Sequence, residues 1–312
     1  MRIVVSGSSG LVGSALLPAL RAKGHEVGRM LRRQAGADGA QGVGAPPGPA
    51  ASLDLFWDPI GGQIDAGKLE GVDAIINLAG ESIAAGRWTA ARKEAIRKSR
   101  INGTQLISET LTRLRRPPRI LVSASAIGYY GDRGDEVLTE TSARGHGFLP
   151  AIAVGWESAT ERAEKLGVRV VHTRFGVILS ASGGALAKML TPFRLGLGGP
   201  VGSGRQVLSW IALDDVVGAI EHALAKESLR GPVNTVAPNP VTNLEFTRIL
   251  ARVLGRPAVF PFPAFAARLV FGEMADALLL ASARVKPEAL QRSGFTFRFG
   301  ELEPALRRIL AR

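Results

Sequence analysis

Residues 1–13 read MRIVVSGSSGLVG, a short apolar run that leads directly into a turn rich in glycine. Gly7, Gly10 and Gly13 form the pattern G-x-x-G-x-x-G at the head of a predicted helix, Val12–Lys23. Glycine permits the tight strand-to-helix turn and lets the backbone approach a pyrophosphate, while the helix N-terminus offers free N–H groups to an anion. The pattern therefore predicts a dinucleotide-binding turn; a tight turn with no ligand is the alternative.

The rest of the first half alternates β-rich runs with helical stretches, the pattern of a parallel sheet covered on both faces. Further strands are predicted at Glu26–Leu31, Ala74–Leu78, Ile120–Ser123 and Val168–Arg174, after a first one at Ile3–Ser6. Further helices are predicted at Thr89–Leu114, with a break, and at Val154–Leu166. The predicted fold class is α/β, a Rossmann-type doubly wound parallel sheet with a small C-terminal α/β lobe.

Composition shifts suggest how the chain is divided. Residues 1–235 are predicted to form the nucleotide-binding domain, with 185–212 contributing to the substrate side, and residues 236–312 a small C-terminal domain. Segment 34–52 is rich in glycine, alanine and proline, so we expect a mobile loop there. In the C-terminal part, Thr242 or Asn243 is a candidate helix cap, and an apolar helix is predicted from Ala264 to Ala283.

The second predicted strand ends in MLRRQ, which bears on the choice of cofactor. Arg32 and Arg33 stand where an NAD-binding protein usually places an acidic residue on the ribose 2′-hydroxyl. Guanidinium groups pair with phosphate through charge-assisted hydrogen bonds, so these residues favour NADP over NAD. Two solvated surface arginines are the alternative.

Composition and charge narrow the class of protein. The chain has 312 residues and no cysteine, which excludes disulfides and thiolate metal sites, and its four histidines lack metal-ligand spacing, so no metal is expected. The formal net charge of +12 is spread along the chain, so no nucleic-acid partner is expected. Without a signal-peptide pattern or an apolar run of roughly 20 residues, we expect a cytoplasmic protein without membrane contact.

Several stretches together resemble one family. The turn GSSGLVG, the tetrapeptide NLAG at 77–80 and SASAIGYYG at 123–131 resemble the extended short-chain dehydrogenase/reductase superfamily. Within it, stretches such as SRINGT, SWIALDD and FGEMADALLLASARV resemble an NADP-dependent epimerase-like family that ends in a small domain of unknown function. This likeness runs along nearly the whole chain.

The resemblance implies an NADP site. Together with the glycine pattern, which adds Gly13, and the end of the second predicted strand, which adds Arg33, it gives these cofactor-binding candidates: Gly7, Ser9, Gly10, Leu11, Val12, Gly13, Arg32, Arg33, Leu78, Ala79, Gly80, Glu94 and Arg100. The parts played by Glu94 and Arg100 rest on the resemblance alone.

The resemblance also implies a catalytic serine, which Ser125 matches, together with a tyrosine and a lysine four positions further on that lowers the tyrosine pKa. The expected tyrosine and lysine positions hold Leu149 and Ala153, and no Y-x-x-x-K pattern occurs in the sequence. The ordinary mechanism of the superfamily is therefore in doubt.

Other residues are candidates for the missing proton-transfer group and for the substrate side. Tyr129 and Tyr130, the only tyrosines, follow Ser125 closely and are either proton donors or walls of the pocket, and Glu81 is a further candidate acid or base. Substrate-side candidates are Arg174, Phe193, Gly199 and Trp210, with a plain core position as the alternative for Trp210.

Two functional hypotheses follow from these residues. The first is an NADP(H)-dependent oxidoreductase or epimerase-like enzyme with an unidentified small-molecule carbonyl or hydroxyl substrate. The second is a non-enzymatic NADP(H)-binding sensor or assembly module that meets a protein partner, and a homodimer is left open in both.

Overall fold

The computed structural model describes residues 1–32 and 53–311. Within these ranges, strands lie at Arg2–Ser6 (β1), Glu26–Arg32 (β2), Leu55–Asp58 (β3), Gln63–Ile64 (β4), Ala74–Asn77 (β5), Ile120–Ala126 (β6), Val137–Leu138 (β7), Arg169–Phe175 (β8), Val177–Ser180 (β9), Val207–Leu208 (β10), Trp210–Ala212 (β11), Gly231–Thr235 (β12), Val241–Thr242 (β13) and Arg284–Val285 (β14). Arg33 and segment 34–52, both singled out from the sequence, lie outside the described residues.

The α-helices lie at Leu11–Ala22 (α1), Ala90–Leu111 (α2), Phe148–Ser158 (α3), Glu161–Lys165 (α4), Gly184–Arg194 (α5), Leu213–Ala225 (α6), Asn243–Leu254 (α7), Ala264–Phe271 (α8), Glu288–Arg292 (α9) and Leu302–Leu310 (α10). Short 3₁₀ turns occur at Ala66–Leu69 and Ile127–Tyr129, and a π-helical segment at Ala275–Leu280.

One large sheet organises the molecule. Its strand order is β12-β8-β6-β5-β1-β2-β3-β4, with every neighbouring pair parallel except β3 and β4. The chain builds the sheet outward from β1 through β2 and β3, then returns to β5 on the other side of β1. The carboxyl ends of β1 and β5 therefore form the switch point at which ligands bind in such sheets.

Side chains of β1 show why helices cover both faces. Ile3 and Val5 pack with helices α1 and α6 on one face, whereas Val4 packs with α2 on the other. This alternation follows from the two-residue period of a strand. It confirms the predicted α/β doubly wound fold.

Some predicted boundaries were wrong. Strand β6 continues to Ala126, so Ser125 lies inside the strand, and α2 runs without the predicted break. The predicted helix 154–166 is two helices, because the Thr160 N–H bonds to the Glu157 carbonyl three residues back and tightens the turn between α3 and α4. Helix α3 begins earlier than predicted, directly after Gly147.

The C-terminal part shares a core with the sheet domain. Leu186 of α5, Trp210 of β11, Phe246 of α7 and Leu306 of α10 belong to one buried cluster. Thr242 caps α7 with a reciprocal capping box, as the sequence predicted. The division of the chain after residue 235 remains a prediction.

The predicted helix from 264 to 283 was wrong in its length. Helix α8 ends at Phe271, because Gly272 turns the backbone with φ 60° and ψ −140°. In residues 1–32 and 53–311, no helix is long and apolar enough to cross a membrane.

Candidate functional site

The glycine turn after β1 packs against the segment that follows β5. Gly7 has φ +67°, and a Cβ there would lie 2.7 Å from the carbonyl carbon of Leu78. A Cβ on Gly13 would lie 2.4 Å from the Gly7 oxygen. These two positions therefore accept only glycine, and the turn lies directly on the NLAG segment.

The start of α1 is suited to an anion. Among the described residues, no side chain caps this helix and its first turn holds no acidic residue. Ser9 and Gly10 are exposed, so the first N–H groups of α1 remain reachable from solvent. The turn fits a pyrophosphate, since the helix dipole favours negative charge at this end.

A buried polar chain holds the two halves of this cradle together. The Ser6 hydroxyl donates to Asn77 Oδ1 at 2.6 Å, and Asn77 Nδ2 donates to Thr104 Oγ1 at 2.7 Å. The Trp156 indole N–H donates to the same Thr104 oxygen at 2.9 Å. Ser6 also accepts from the Leu78 N–H at 3.2 Å. Sequence reasoning missed Ser6 and Thr104, because their partners come from distant elements.

Basic side chains surround the exit of β5. The Arg32 guanidinium lies 3.3 Å and that of Arg92 3.6 Å from the two oxygens of Glu81. Arg100 packs against Gly80 and lies 5.1 Å from the Trp156 ring centre. Burial lowers the pKa of Arg100 to about 10, which leaves it charged at neutral pH. Arg32, Gly80 and Arg100 thus lie around one carboxylate at the sheet edge.

Glu94 does not join this group. Glu94 follows Arg92 by two residues, and two residues turn about 200° around an α-helix. The two side chains therefore lie on opposite sides of α2. Its carboxylate pairs with Arg97 at 2.7 Å, which holds the Glu94 pKa at about 2. The structure therefore places Glu94 apart from Glu81 and Arg92, and its cofactor contact remains a prediction from the resemblance.

Ser125 makes one short contact that sequence reasoning missed. Its hydroxyl donates to Glu157 Oε1 at 2.6 Å, from the end of β6 to α3. Arg174 of β8 holds the same carboxylate with two bonds of 2.8 Å each. The side chains of Arg174 and Glu157 are only 4% and 13% exposed. We name Ser125, Glu157 and Arg174 the serine–glutamate cluster.

Arg174 sets the charge of this cluster. Burial by itself raises the pKa of the Glu157 carboxyl, but hydrogen bonds and charge from Arg174, with the bond from Ser125, bring that pKa below its ordinary value. Glu157 is therefore an ionised acceptor beside Ser125 at neutral pH. The sequence signal for this residue is the pair Trp156-Glu157, which lies on the same helix as Leu149 and Ala153.

The two tyrosines differ in their surroundings. Tyr130 is fully buried, and its hydroxyl lies 2.7 Å from Asn234 Oδ1 and accepts from Arg174 at 3.0 Å. Burial raises the pKa of Tyr130, and its hydroxyl is engaged by both Asn234 and Arg174. Tyr129 is half-buried, with the Arg174 guanidinium 3.5 Å from its ring centre. Tyr129 remains a candidate either for the wall of the substrate pocket or for the proton donor.

Three substrate-side candidates are packed into the protein. Trp210 is fully buried and its indole N–H donates to the Asn239 carbonyl at 3.0 Å, which matches the core alternative. Phe193 lies in the same cluster. A Cβ on Gly199 would lie only 1.8 Å from the Phe260 oxygen, so this loop is held closely against the C-terminal segment. Of the four substrate-side candidates, only Arg174 is linked to Ser125, because both residues bond to the Glu157 carboxylate.

Comparison with known proteins identifies similar chains. The NAD dependent epimerase/dehydratase family model matches residues 3–236, and the domain of unknown function DUF1731 matches residues 262–309. The epimerase family protein Mb2239 of Mycobacterium bovis is 44% identical over 97% of this chain and 96% of its own. The human epimerase family protein SDR39U1 is 36% identical over the full length of both chains. A crystal structure of human SDR39U1 (isoform 2) with NADPH superposes with a TM-score of 0.85 and 33% identity, over 100% of this chain and 99% of that chain.

Proposed function

The chain belongs to the NAD dependent epimerase/dehydratase family, and from this premise we propose that it is an NADP(H)-dependent oxidoreductase or epimerase-like enzyme acting on a carbonyl or hydroxyl group. The membership confirms the family resemblance that the sequence motifs indicated. The observation that carries the proposal is the hydrogen bond from Ser125 to an ionised Glu157, on the helix that supplies catalytic residues in the superfamily.

The choice of NADP over NAD rests on charge. Arg32 ends β2, where the adenosine ribose is held in such folds, and it brings a guanidinium rather than a carboxylate to that place. Gly7 and the start of α1 would hold the pyrophosphate, while Ala79 and Gly80 would pass beneath the nucleoside. The NADPH in the human SDR39U1 structure supports this choice.

Ser125 and Glu157 together can move a proton without a tyrosine. In the direction that oxidises a hydroxyl group, the substrate proton moves to Ser125 Oγ while the serine proton moves to Glu157 Oε1. In the reverse direction the same two transfers run backwards and protonate the reduced oxygen. When bound, the nicotinamide supplies the accompanying acceptor or donor of hydride.

Arg174 has a positioning task in this mechanism. Its two bonds fix both oxygens of Glu157, so one oxygen stays aimed at Ser125. Leu149 and Ala153, on the same helix, supply neither a proton nor a charge. The proposed chemistry therefore depends on Glu157 in place of the tyrosine and lysine.

A substrate screen tests the enzyme proposal. The protein is incubated with NADPH and a panel of aldehydes and ketones, and with NADP⁺ and the matching alcohols, while nicotinamide absorbance is followed. We expect turnover that Ser125→Ala and Glu157→Gln each reduce at least a hundredfold. Turnover that survives both substitutions contradicts the proposed roles.

The second candidate is a non-enzymatic NADP(H)-binding module with a protein partner. Exposed apolar side chains favour it: on α8, Phe265 is 73% and Leu269 74% exposed. Under this alternative no substrate in the panel turns over and Ser125→Ala changes nothing measurable. Arg32→Ala would then remove nucleotide and partner binding together.

A further inference from the structure

One carboxylate stands between two arginines at the edge of the sheet. Arg32 comes from the end of β2 and Arg92 from the first turn of α2, and each contacts a different oxygen of Glu81. The distances are 3.3 Å for Arg32 and 3.6 Å for Arg92. The side chains are 52%, 25% and 37% exposed for Arg32, Arg92 and Glu81 respectively, so a ligand can reach all three.

The backbone around Glu81 is fixed. Its N–H donates to the Ser99 hydroxyl at 3.0 Å, and Arg92 donates a second guanidinium N–H to the carbonyl of Ser82. These two bonds hold the attachment point of the Glu81 side chain and the Arg92 guanidinium, while the Glu81 side chain itself is 37% exposed. The carboxylate therefore has solvent beside it into which it could move without a change in the backbone.

Arg92 also has an unused donor. Its Nε is buried, and within residues 1–32 and 53–311 it has no hydrogen-bond partner. A buried guanidinium N–H without a partner is costly, which indicates that Glu81 satisfies this site only in part. A group with more acceptor oxygens and more charge would complete it.

The charges around Glu81 do not balance. Arg32, Arg92 and the nearby Arg100 bring three positive charges to one carboxylate, and Arg100 is electrostatically coupled to both Glu81 and Arg92. A phosphate monoester carries close to two negative charges at neutral pH and three strong acceptor oxygens. It would therefore bind these guanidinium groups better than the carboxylate does.

We propose that Glu81 occupies the place of the NADP 2′-phosphate in the nucleotide-free protein, and that Arg92 is the second arginine of the phosphate clamp. The inference rests on the proposed NADP(H) function and deepens it. Glu81 competes with the 2′-phosphate for Arg32 and Arg92, and it moves away when the phosphate binds. It lowers the affinity for NADP(H), and it is not the proton-transfer group of the reaction.

The test compares nucleotides with and without the 2′-phosphate by isothermal titration calorimetry. NADPH is compared with NADH, and adenosine 2′,5′-bisphosphate with ADP, on the full chain and on Glu81→Gln and Arg92→Ala. Glu81→Gln should tighten binding of both 2′-phosphorylated nucleotides at least threefold, since the competing charge is gone. Arg92→Ala should weaken the same two about tenfold, and both variants should leave NADH and ADP within twofold.

A matched control exists in the C-terminal part of the chain. There Glu303 also lies between two arginines, 2.7 Å from both Arg252 and Arg307. Glu303→Gln and Arg252→Ala remove the same kinds of charge far from the sheet edge, so neither should change the affinity for any of the four nucleotides. Equal changes in these controls would mean that net charge alone acts, which would overturn the inference.

Other outcomes separate the inference from the proposed function. If Glu81→Gln weakens NADH, Glu81 is a ligand of the ribose hydroxyls and the inference is wrong. If both site variants are silent while Arg32→Ala removes NADPH preference, the inference falls and the NADP(H) proposal stands. If the unaltered chain binds none of the nucleotides, both fall together.

Discussion

The Ser125 hydroxyl and the Glu157 carboxylate are joined by a 2.6 Å hydrogen bond between β6 and α3. Since Arg174 supplies the counter-charge, the resting carboxylate beside Ser125 is ionised at neutral pH and is free to accept a proton. The pair is thus a candidate proton path in a chain that lacks the tyrosine and lysine of its superfamily. The pair also leads to a prediction about the stability of the protein, which can be tested without a substrate.

Removing the Glu157 carboxylate leaves the buried Arg174 cation without its counter-ion. Because the Arg174 side chain is only 4% exposed, Glu157→Ala should lower the free energy of unfolding by about 3 kcal/mol. Urea denaturation at neutral pH measures this change. Glu303→Ala, which removes a carboxylate from exposed pairs, should cost much less. Equal losses in the two variants would show that the cluster is not the tightly buried unit described above.

The buried imidazole of His172 predicts a pH dependence of stability. Burial lowers the pKa of His172, and the charge of Arg174 lowers it further against the opposing effects of Glu157 and Glu164. The unfolded chain therefore binds a proton at a higher pH than the folded chain does. Stability should be full above the ordinary histidine pKa of about 6.5 and fall as the pH drops through the folded value.

Unfolding free energies measured between pH 8 and pH 5 test this sign. The unaltered chain should lose stability on acidification, and His172→Gln should lose less. His222, whose pKa burial also lowers, accounts for part of the remaining slope. Stability that rises on acidification in the unaltered chain would contradict the assignment.

The glycine turn gives a paired prediction. Gly7 and Gly24 have similar φ values of +67° and +78°, but a Cβ meets backbone atoms only at Gly7. Gly24→Ala should therefore cost about 1 kcal/mol from backbone strain alone. Gly7→Ala should cost clearly more and abolish dinucleotide binding, as measured by urea denaturation and nucleotide titration. Equal costs with binding retained would mean that the turn can move away from the NLAG segment.

Thr104 is the acceptor on which two buried donors converge. Thr104→Val leaves Asn77 Nδ2 and the Trp156 indole N–H without a partner, at a cost of about 2 kcal/mol in unfolding free energy. The same substitution at exposed Thr112, which caps the end of α2, should have a far smaller effect. A neutral result at Thr104 would mean that water or a local rearrangement satisfies both donors.

Local features of the sequence were the ones that predicted structure well. The glycine turn, the apolar first strand and the cap at Thr242 each depend on residues a few positions apart, and the structure has all three. The break between α3 and α4 depends on one tightened turn at Thr160, which no periodic pattern reveals. The end of α8 depends on Gly272, which the apolar pattern concealed.

The site itself depends on contacts between distant elements. Ser125, Glu157 and Arg174 come from β6, α3 and β8, so their meeting follows from the sheet order and the packing of α3. Arg92 was not a candidate from the sequence, and its approach to Glu81 depends on how the segment after β5 meets the start of α2. The contacts of Glu81 with Arg32 and Arg92 also join distant elements, so they could not be seen in the sequence. The sequence therefore made Glu81 a candidate acid or base, whereas the structure pairs it with arginines.

The NADP(H) preference is the central claim, and a titration of Arg32→Ala tests it most directly. The protein is titrated with NADPH and with NADH, side by side, while nicotinamide fluorescence is followed. The unaltered chain should bind NADPH at least tenfold more tightly than NADH, and Arg32→Ala should remove that difference by weakening NADPH alone. Equal affinity for the two nucleotides in the unaltered chain, or no binding of either, would contradict the claim.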